Sequence, residues 1–139
     1  MKFKRTLRGA GVSAAAVATT FAMATGAQAA DPDHTLWTND DRPGGKIEFT
    51  RNGDKLEVCD DQPDGLRAVA YVINPDGTQR YGIAASGSGN CTDRDDSDGS
   101  RYNLNENKRY TFRVCLDENE DGSGDDRFCQ SRKWRAGAG

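Results

Sequence analysis

The chain has 139 residues, with 19 basic, 22 acidic and a single histidine, for a formal net charge of −3. Met1 to Ala29 reads as an export signal; without its Lys2, Lys4, Arg5 and Arg8, 15 basic residues face 22 acidic ones, a net charge of −7. That balance argues against nucleic acid and anionic membrane surfaces as partners. With His34 the only imidazole, multi-histidine zinc sites are excluded and a histidine triad, which would have to use His34 in the polar N-terminal stretch, is close to excluded.

The signal segment has a basic head, Lys2–Arg8, an uncharged Ala-rich middle, Gly9–Ala24, and the small-x-small sequence Ala27-Gln28-Ala29. This form predicts cleavage before Ala30 and a secreted product of about 110 residues, with no membrane anchor after cleavage. Only 15 residues from Ala30 onward are Leu, Ile, Val or Phe, a share below the ~20% where disorder becomes a serious reading. Their grouping into runs, and four cysteines, point instead to a folded domain held by disulfides in an oxidising compartment.

Residues 30–45 are polar, with Pro32, Pro43 and Gly44-Gly45. They read as a flexible arm pinned by Leu36 and Trp37, with His34 solvated. The β domain is expected over 46–135, with a short tail at 136–139. Lys46–Arg51 alternates in polarity, Asn52-Gly53 is a hairpin turn, and Lys55–Cys59 returns. Gln62-Pro63-Asp64-Gly65 turns the chain into Leu66–Ile73, apolar on both faces as a central strand is. Asn74-Pro75-Asp76-Gly77 turns it again into Thr78–Ala85. Ser86–Gly99 reads as a long loop and Arg101–Leu104 as a short strand. Arg109–Leu116 places Tyr110, Phe112 and Val114 inward, and Thr111, Arg113 and Cys115 outward. Asp117–Asp126 is an acidic loop before a last strand, Arg127–Arg135. About seven short antiparallel strands and no helix predict an all-β, immunoglobulin-like sandwich.

Four cysteines allow three pairings. Alternation puts Cys59 beside Glu57 and Cys115 beside Arg113, both on outer faces, which disfavours a bridge between them. Cys115 and Cys129 flank the last hairpin symmetrically about Gly122, a register that sets Asp117 across from Arg127. The expected bridges are therefore Cys115–Cys129 and Cys59–Cys91.

Asp117-x-Asn119-x-Asp121-Gly122-Ser123-x-Asp125 matches nine positions of a calcium loop of the D-x-[DN]-x-[DN]-G type. Alternate oxygens converge on one cation, and the glycine permits the sharp turn. Position twelve is Phe128 rather than Glu, so any site is looser than an EF-hand. Calcium is the one cofactor candidate, with Asp117, Asn119, Asp121 and Asp125 as its ligands. Asp60, Asp61 and Asp64 are the carboxylates a small hydrolase would use, but Gly-rich turns offer no apolar pocket to raise one pKa. No catalytic residues are assigned. Trp134, flanked by Arg132 and Lys133, is the candidate binding strip, though an aromatic there also covers the end of a thin core. Loops 86–99 and 117–126 are the expected contact surfaces for an extracellular protein or glycan.

Leu104, six residues before Tyr110-x-Phe112-x-Val114, resembles the E–F corner of fibronectin type III domains, where a tyrosine hydroxyl ties the corner to nearby backbone. The run Val58-Cys59-Asp60-Asp61-Gln62-Pro63-Asp64-Gly65, with Phe112-Arg113-Val114-Cys115 and an Ala-rich signal, resembles small secreted proteins of high-GC Gram-positive bacteria. That resemblance implies an exported, disulfide-bonded β domain and transfers no site residues. The leading functional expectation is a secreted non-enzymatic binding or structural module. The alternatives are a protease inhibitor acting through loop 86–99 beside Cys91, and the carboxylate hydrolase.

Overall fold

A computed structural model describes residues 31–118 and 125–137. Eight strands run in chain order: β1 His34–Trp37, β2 Gly45–Thr50, β3 Lys55–Asp60, β4 Arg67–Ile73, β5 Gln79–Ala85, β6 Asn90–Arg94, β7 Arg109–Asp117 and β8 Arg127–Arg135. They form two antiparallel four-stranded sheets, ordered β1-β2-β3-β6 and β5-β4-β7-β8. The chain changes sheets after β3, β5 and β6, which makes an all-β sandwich of immunoglobulin-like type.

The core is the set of alternate residues that the two inner faces share. Ile47 and Phe49 from β2, Leu56 and Val58 from β3, and Phe112 and Val114 from β7 are all inaccessible to solvent. At ~1.5–3 kcal/mol per large apolar side chain, these residues contribute a substantial part of the burial, with Leu104, Tyr110 and Leu116 also buried. Val72 and Ala70 of β4 complete the layer, as the apolar run of a central strand predicts. Phe49 packs on Phe112 with ring centroids 4.5 Å apart, and Phe112 on Trp134 at 4.9 Å.

Both expected disulfides form. Cys59 and Cys91 stand directly opposite each other on β3 and β6, and Cys115 bridges to Cys129 on the β7–β8 hairpin. The tyrosine corner is also present: the Tyr110 hydroxyl accepts the Asn105 N–H at 2.9 Å, with Leu104 buried beneath it.

Four local readings are corrected. Residues 34–37 are not part of a loose arm; they form β1, whose Leu36 joins the core opposite Ile47. His34 is not solvated but stacks on Trp134 at 4.7 Å, and burial lowers its pKa. The reading of 86–99 as one loop fails because Asn90–Arg94 pairs with β3 as β6, a strand too polar to show alternation. Arg101–Leu104 is not a strand; its carbonyls at Arg101 and Asn103 are instead held by the Arg80 guanidinium, which also reaches Ser100.

The Asn52-Gly53 turn is wider than expected. Thr50 pairs with Lys55, so four residues close the hairpin, with Gly53 and Asp54 both at positive φ. That conformation turns the Asp54 side chain inward, where Oδ2 accepts the Leu104 N–H at 2.7 Å.

Candidate ligand-binding end of the sandwich

Antiparallel connectivity brings the β1–β2 loop (38–44), the β3–β4 loop (61–66), the β5–β6 loop (86–89) and the start of the β7–β8 loop to one end. Backbone bonds tie them together. Asp61 N–H donates to Gly44 O at 2.8 Å, Gly89 N–H to Asp60 O at 2.7 Å, and Asn39 N–H to Phe128 O at 2.9 Å. The Gln62 side-chain amide adds a bond to Arg42 O.

Asp60 is the central fastener. It is 1% exposed; Oδ1 accepts Gln62 N–H at 3.2 Å and Oδ2 accepts Gly87 N–H at 2.8 Å. Burial raises its pKa against the opposing pull of these two N–H groups. The side chain therefore links its own β3–β4 loop to Gly87, 27 residues further along the chain. Cys59–Cys91 lies immediately beneath, so both loops spring from a cross-linked base. Asp64 serves its own turn, accepting Leu66 N–H at 2.9 Å. Of the three carboxylates singled out for hydrolysis, Asp60 and Asp64 hold loop backbone and Asp61 is exposed.

Between these loops lies a cleft of about 240 Å³, lined among others by Asp60, Arg67, Ser86, Gly87, Ser88 and Glu118. Arg67 brings a guanidinium to the wall, but its Nε and Nη2 bond Asp117 Oδ2 at 2.9 and 2.7 Å. Its charge is thereby neutralised locally. Glu118 pairs with Arg127 at 2.6 Å, where both side chains are about half exposed, a setting in which ion pairs hold weakly. Asp61 and Asp64 of the β3–β4 loop are exposed, and their charges act on Asp60 at the cleft wall, so this side of the loop end is acidic.

The calcium reading meets this geometry only in part. Asn119 and Asp121 lie outside the described residues. Asp117 is not across from Arg127; it pairs with Arg67 on β4, while Leu116 takes Arg127. The reason is a bulge. Val114 pairs with Gln130 but Leu116 with Arg127, so the β8 side holds one residue too many opposite Cys115. Phe128 takes up that extra residue with φ 53°. A cation at Asp117 competes with a guanidinium already bound. Two other carboxylate–sulfur clusters, Glu57 with Cys59 and Cys91 and Asp126 with Cys115 and Cys129, have their sulfurs in disulfides and cannot offer thiolates.

The strip around Trp134 is divided. Trp134 packs against Phe112 and carries His34 stacked within 12° of parallel, so the ring belongs to the core. Arg132 and Lys133 are exposed. A cation–π contact lies instead on the other sheet, where Lys46 Nζ of β2 is 5.5 Å from the ring centroid of Trp37 on β1.

Two features were missed by sequence reasoning. Phe128 is 48% exposed at a hollow that Leu66 and Leu116 also line; a lone Phe in a polar strand gives no hint of a bulge. Asp54 and Tyr81 bury an oxygen each, Asp54 Oδ1 and the Tyr81 hydroxyl, with no hydrogen-bond partner. An aspartate after Asn-Gly reads as turn chemistry, which concealed its inward direction.

Among the described residues no helix is long and apolar enough to cross a membrane. No family model and no curated protein matches the chain. Among solved structures it is similar to an endonuclease/exonuclease/phosphatase from Beutenbergia cavernae DSM 12333, at 20% identity and a TM-score of 0.50. The match covers 74% of this chain but only 27% of that one, and at this identity it speaks to the fold alone.

Proposed function

We propose that the protein is a secreted, non-enzymatic binding module whose loop end takes a cationic group of an extracellular partner. The observation that carries the reading is the Asp60 fastener above Cys59–Cys91. It gives a cleft built on loops that are held before any ligand arrives, and preorganisation is what lets a small site bind. The local field favours a positive ligand on the β3–β4 side, because Arg67 is spent on Asp117 and Glu118 on Arg127, while the exposed carboxylates of Asp61 and Asp64 stand beside Asp60. Secretion rests on the Ala-rich signal, and the two disulfides accord with it.

The inhibitor alternative fares worse. A loop entering a protease cleft must be extended, as a peptide added to a sheet edge is. Residues 86–90 curl instead: Gly87 and Gly89 have φ of 91° and 83°, and Asn90 N–H returns to Gly87 O at 2.9 Å. The hydrolase alternative lacks a free acid–base pair in Asp60 and Asp64, whose oxygens accept backbone N–H groups.

The test is titration of the isotopically labelled, oxidised protein with a short oligolysine peptide, followed by amide chemical shifts. Saturable shifts concentrated at Gln62, Gly65, Gly87 and Ser88 are expected. Shifts spread evenly over all acidic turns, or none at the loop end, would overturn the reading.

A further inference from the structure

Charge of the opposite sign gathers on the outer face of the β5-β4-β7-β8 sheet. Pairing sets Arg109 opposite Arg135, Thr111 opposite Lys133, and Arg113 opposite Ser131. These residues point outward because Tyr110, Phe112 and Val114 between them are buried and faces alternate along a strand. The rows continue across the sheet. Tyr71 stands beside Arg113 and Ile73 beside Thr111 on β4; Gly82 stands beside Tyr71 and Gln79 beside Ile73 on β5.

No acidic residue occupies positions 69–73, 79–84, 109–115 or 130–135. Arg109, Arg113, Lys133 and Arg135 are all exposed. The ion pairs found among the described residues use other cations: Lys46, Arg51, Lys55, Arg67 and Arg127. Arg109 facing Arg135 is itself unfavourable, since like charges directly opposite destabilise a sheet. Nothing in the packing requires that pair. Lys133 and Arg135 are two residues apart on β8, about 7 Å, and Arg109 and Arg113 four apart on β7, about 13 Å, so the cations form an extended row rather than a point.

A groove of about 330 Å³ adjoins the cations, lined by Tyr71, Ile73, Gln79, Arg113 and Asp126 among others. Tyr71 lies over Gly82, where a Cβ would stand 3.1 Å from its Cδ1. Its hydroxyl is 3.2 Å from Asp126 Oδ1 and donates to it. The glycine leaves a flat aromatic shelf. The apolar C–H face of a sugar ring packs on such a surface, while Gln79 and Asp126 offer hydrogen-bond partners for hydroxyl groups.

We infer that this face binds an acidic polysaccharide, its anions on Arg109, Arg113, Lys133 and Arg135 and a sugar ring on Tyr71. A DNA duplex fits less well: its sugars carry no free hydroxyl groups along the chain for Gln79 and Asp126 at the shelf to bind. The site is separate from the cleft at the loop end and does not depend on it.

The test uses the oxidised full protein and four probes: heparin, polygalacturonate, neutral dextran and a short DNA duplex. Affinities are measured between about 50 and 200 mM salt. Heparin and polygalacturonate are expected to bind, and dextran not to. The triple variant Arg109→Gln, Lys133→Gln, Arg135→Gln should lose about tenfold or more on both anionic glycans and show a shallower salt dependence. A control removing the same charge elsewhere, Arg42→Gln, Arg94→Gln, Arg101→Gln, should bind as the unmodified protein does. Tyr71→Ala should weaken polygalacturonate binding with its salt dependence unchanged. Equal losses in the triple and control variants would reduce the effect to net charge and overturn the site. DNA binding as tight as polygalacturonate, or no polygalacturonate binding at the lowest salt, would overturn the polysaccharide reading.

Discussion

Arg67 and Asp117, 50 residues apart in sequence, face each other across β4 and β7 with two guanidinium N–H groups on one carboxylate oxygen. The Asp117 side chain is only 3% exposed and that of Arg67 19%, so the charges are held at the end of the sandwich where the four loops gather. Removing one partner of such a pair leaves the other charge buried, at a cost of about 3–5 kcal/mol. Arg67→Ala should therefore lose stability on that scale in urea titrations. Replacing both residues with leucine should recover most of it. If Arg67→Ala loses no more than an exposed arginine does, the pair does not anchor the loop end.

The same pair bears on calcium. Asp117 is the first ligand of the calcium-type motif, and its Oδ2 is taken by Arg67. Millimolar calcium is expected to leave the melting temperature of the oxidised protein unchanged. A ligand that binds only the native state raises that temperature, by an amount that grows with the logarithm of its concentration above Kd. A clear rise, erased by Asp117→Asn and Asp121→Asn, would overturn this and make 117–125 a structural cation loop.

How much was legible in the sequence depends on how far each signal is local. Strict alternation located β2, β3 and β7, and the apolar run located β4, because the inner and outer faces impose a period of two. The cysteines were legible in part for the same reason: outer faces shared with charged residues disfavoured Cys59–Cys115, hairpin symmetry paired Cys115 with Cys129, and Cys59–Cys91 remained, although the strand that carries Cys91 was not seen. The charge pairing was not. One bulge residue, Phe128, moves every β8 partner beyond Cys115 by one position, so Arg127 stands across from Leu116 and not Asp117; Asp117 meets Arg67 on the other neighbouring strand, β4. β6 was hidden because an exposed edge strand of Asn, Cys, Thr, Asp and Arg needs no apolar face. The cleft depends on Asp60, whose identity as a fastener follows only from where Gly87 lies. The basic ladder was hidden by net charge, which averages over two surfaces of opposite sign.

Asp54 makes stability depend on pH in an unusual direction. Burial raises its pKa from 3.8 to about 6; Glu106 and Asp96 add to the rise, while the Leu104 N–H and Arg80 oppose it. Its carboxylate also helps raise the pKa of buried Tyr81. The folded state thus holds the proton more tightly than the unfolded chain does. The stabilisation is fully present below about pH 4 and is lost as pH rises through about 6. At neutral pH the charged carboxylate costs on the order of 2 kcal/mol. Asp54→Asn keeps an oxygen for Leu104 and adds a donor beside Tyr81. It should be more stable than the unmodified protein near neutrality, the gap closing as the pH falls to about 4. A gap that does not vary with pH would show that the carboxyl does not titrate between the two states.

Phe128 joins strain to exposure. It is a non-glycine residue at φ 53°, with its ring 48% exposed and its carbonyl accepting from Asn39. A left-handed conformation costs a bulky residue about 1–2 kcal/mol, whereas asparagine tolerates it. Phe128→Asn keeps the bulge and the backbone bond. It should raise stability by about 0.5–1 kcal/mol, or a few degrees in melting temperature. Strain of this kind persists at functional sites because the side chain is needed there. An exposed ring beside the acidic side of the loop end offers a cation a π face, worth about 0.5–1 kcal/mol. The same variant should therefore bind oligolysine two- to fivefold more weakly, about the affinity such an energy represents. Higher stability with unchanged oligolysine binding would detach Phe128 from the binding end. Lower stability would mean that the ring packs on Leu66 and Leu116 strongly enough to outweigh its backbone.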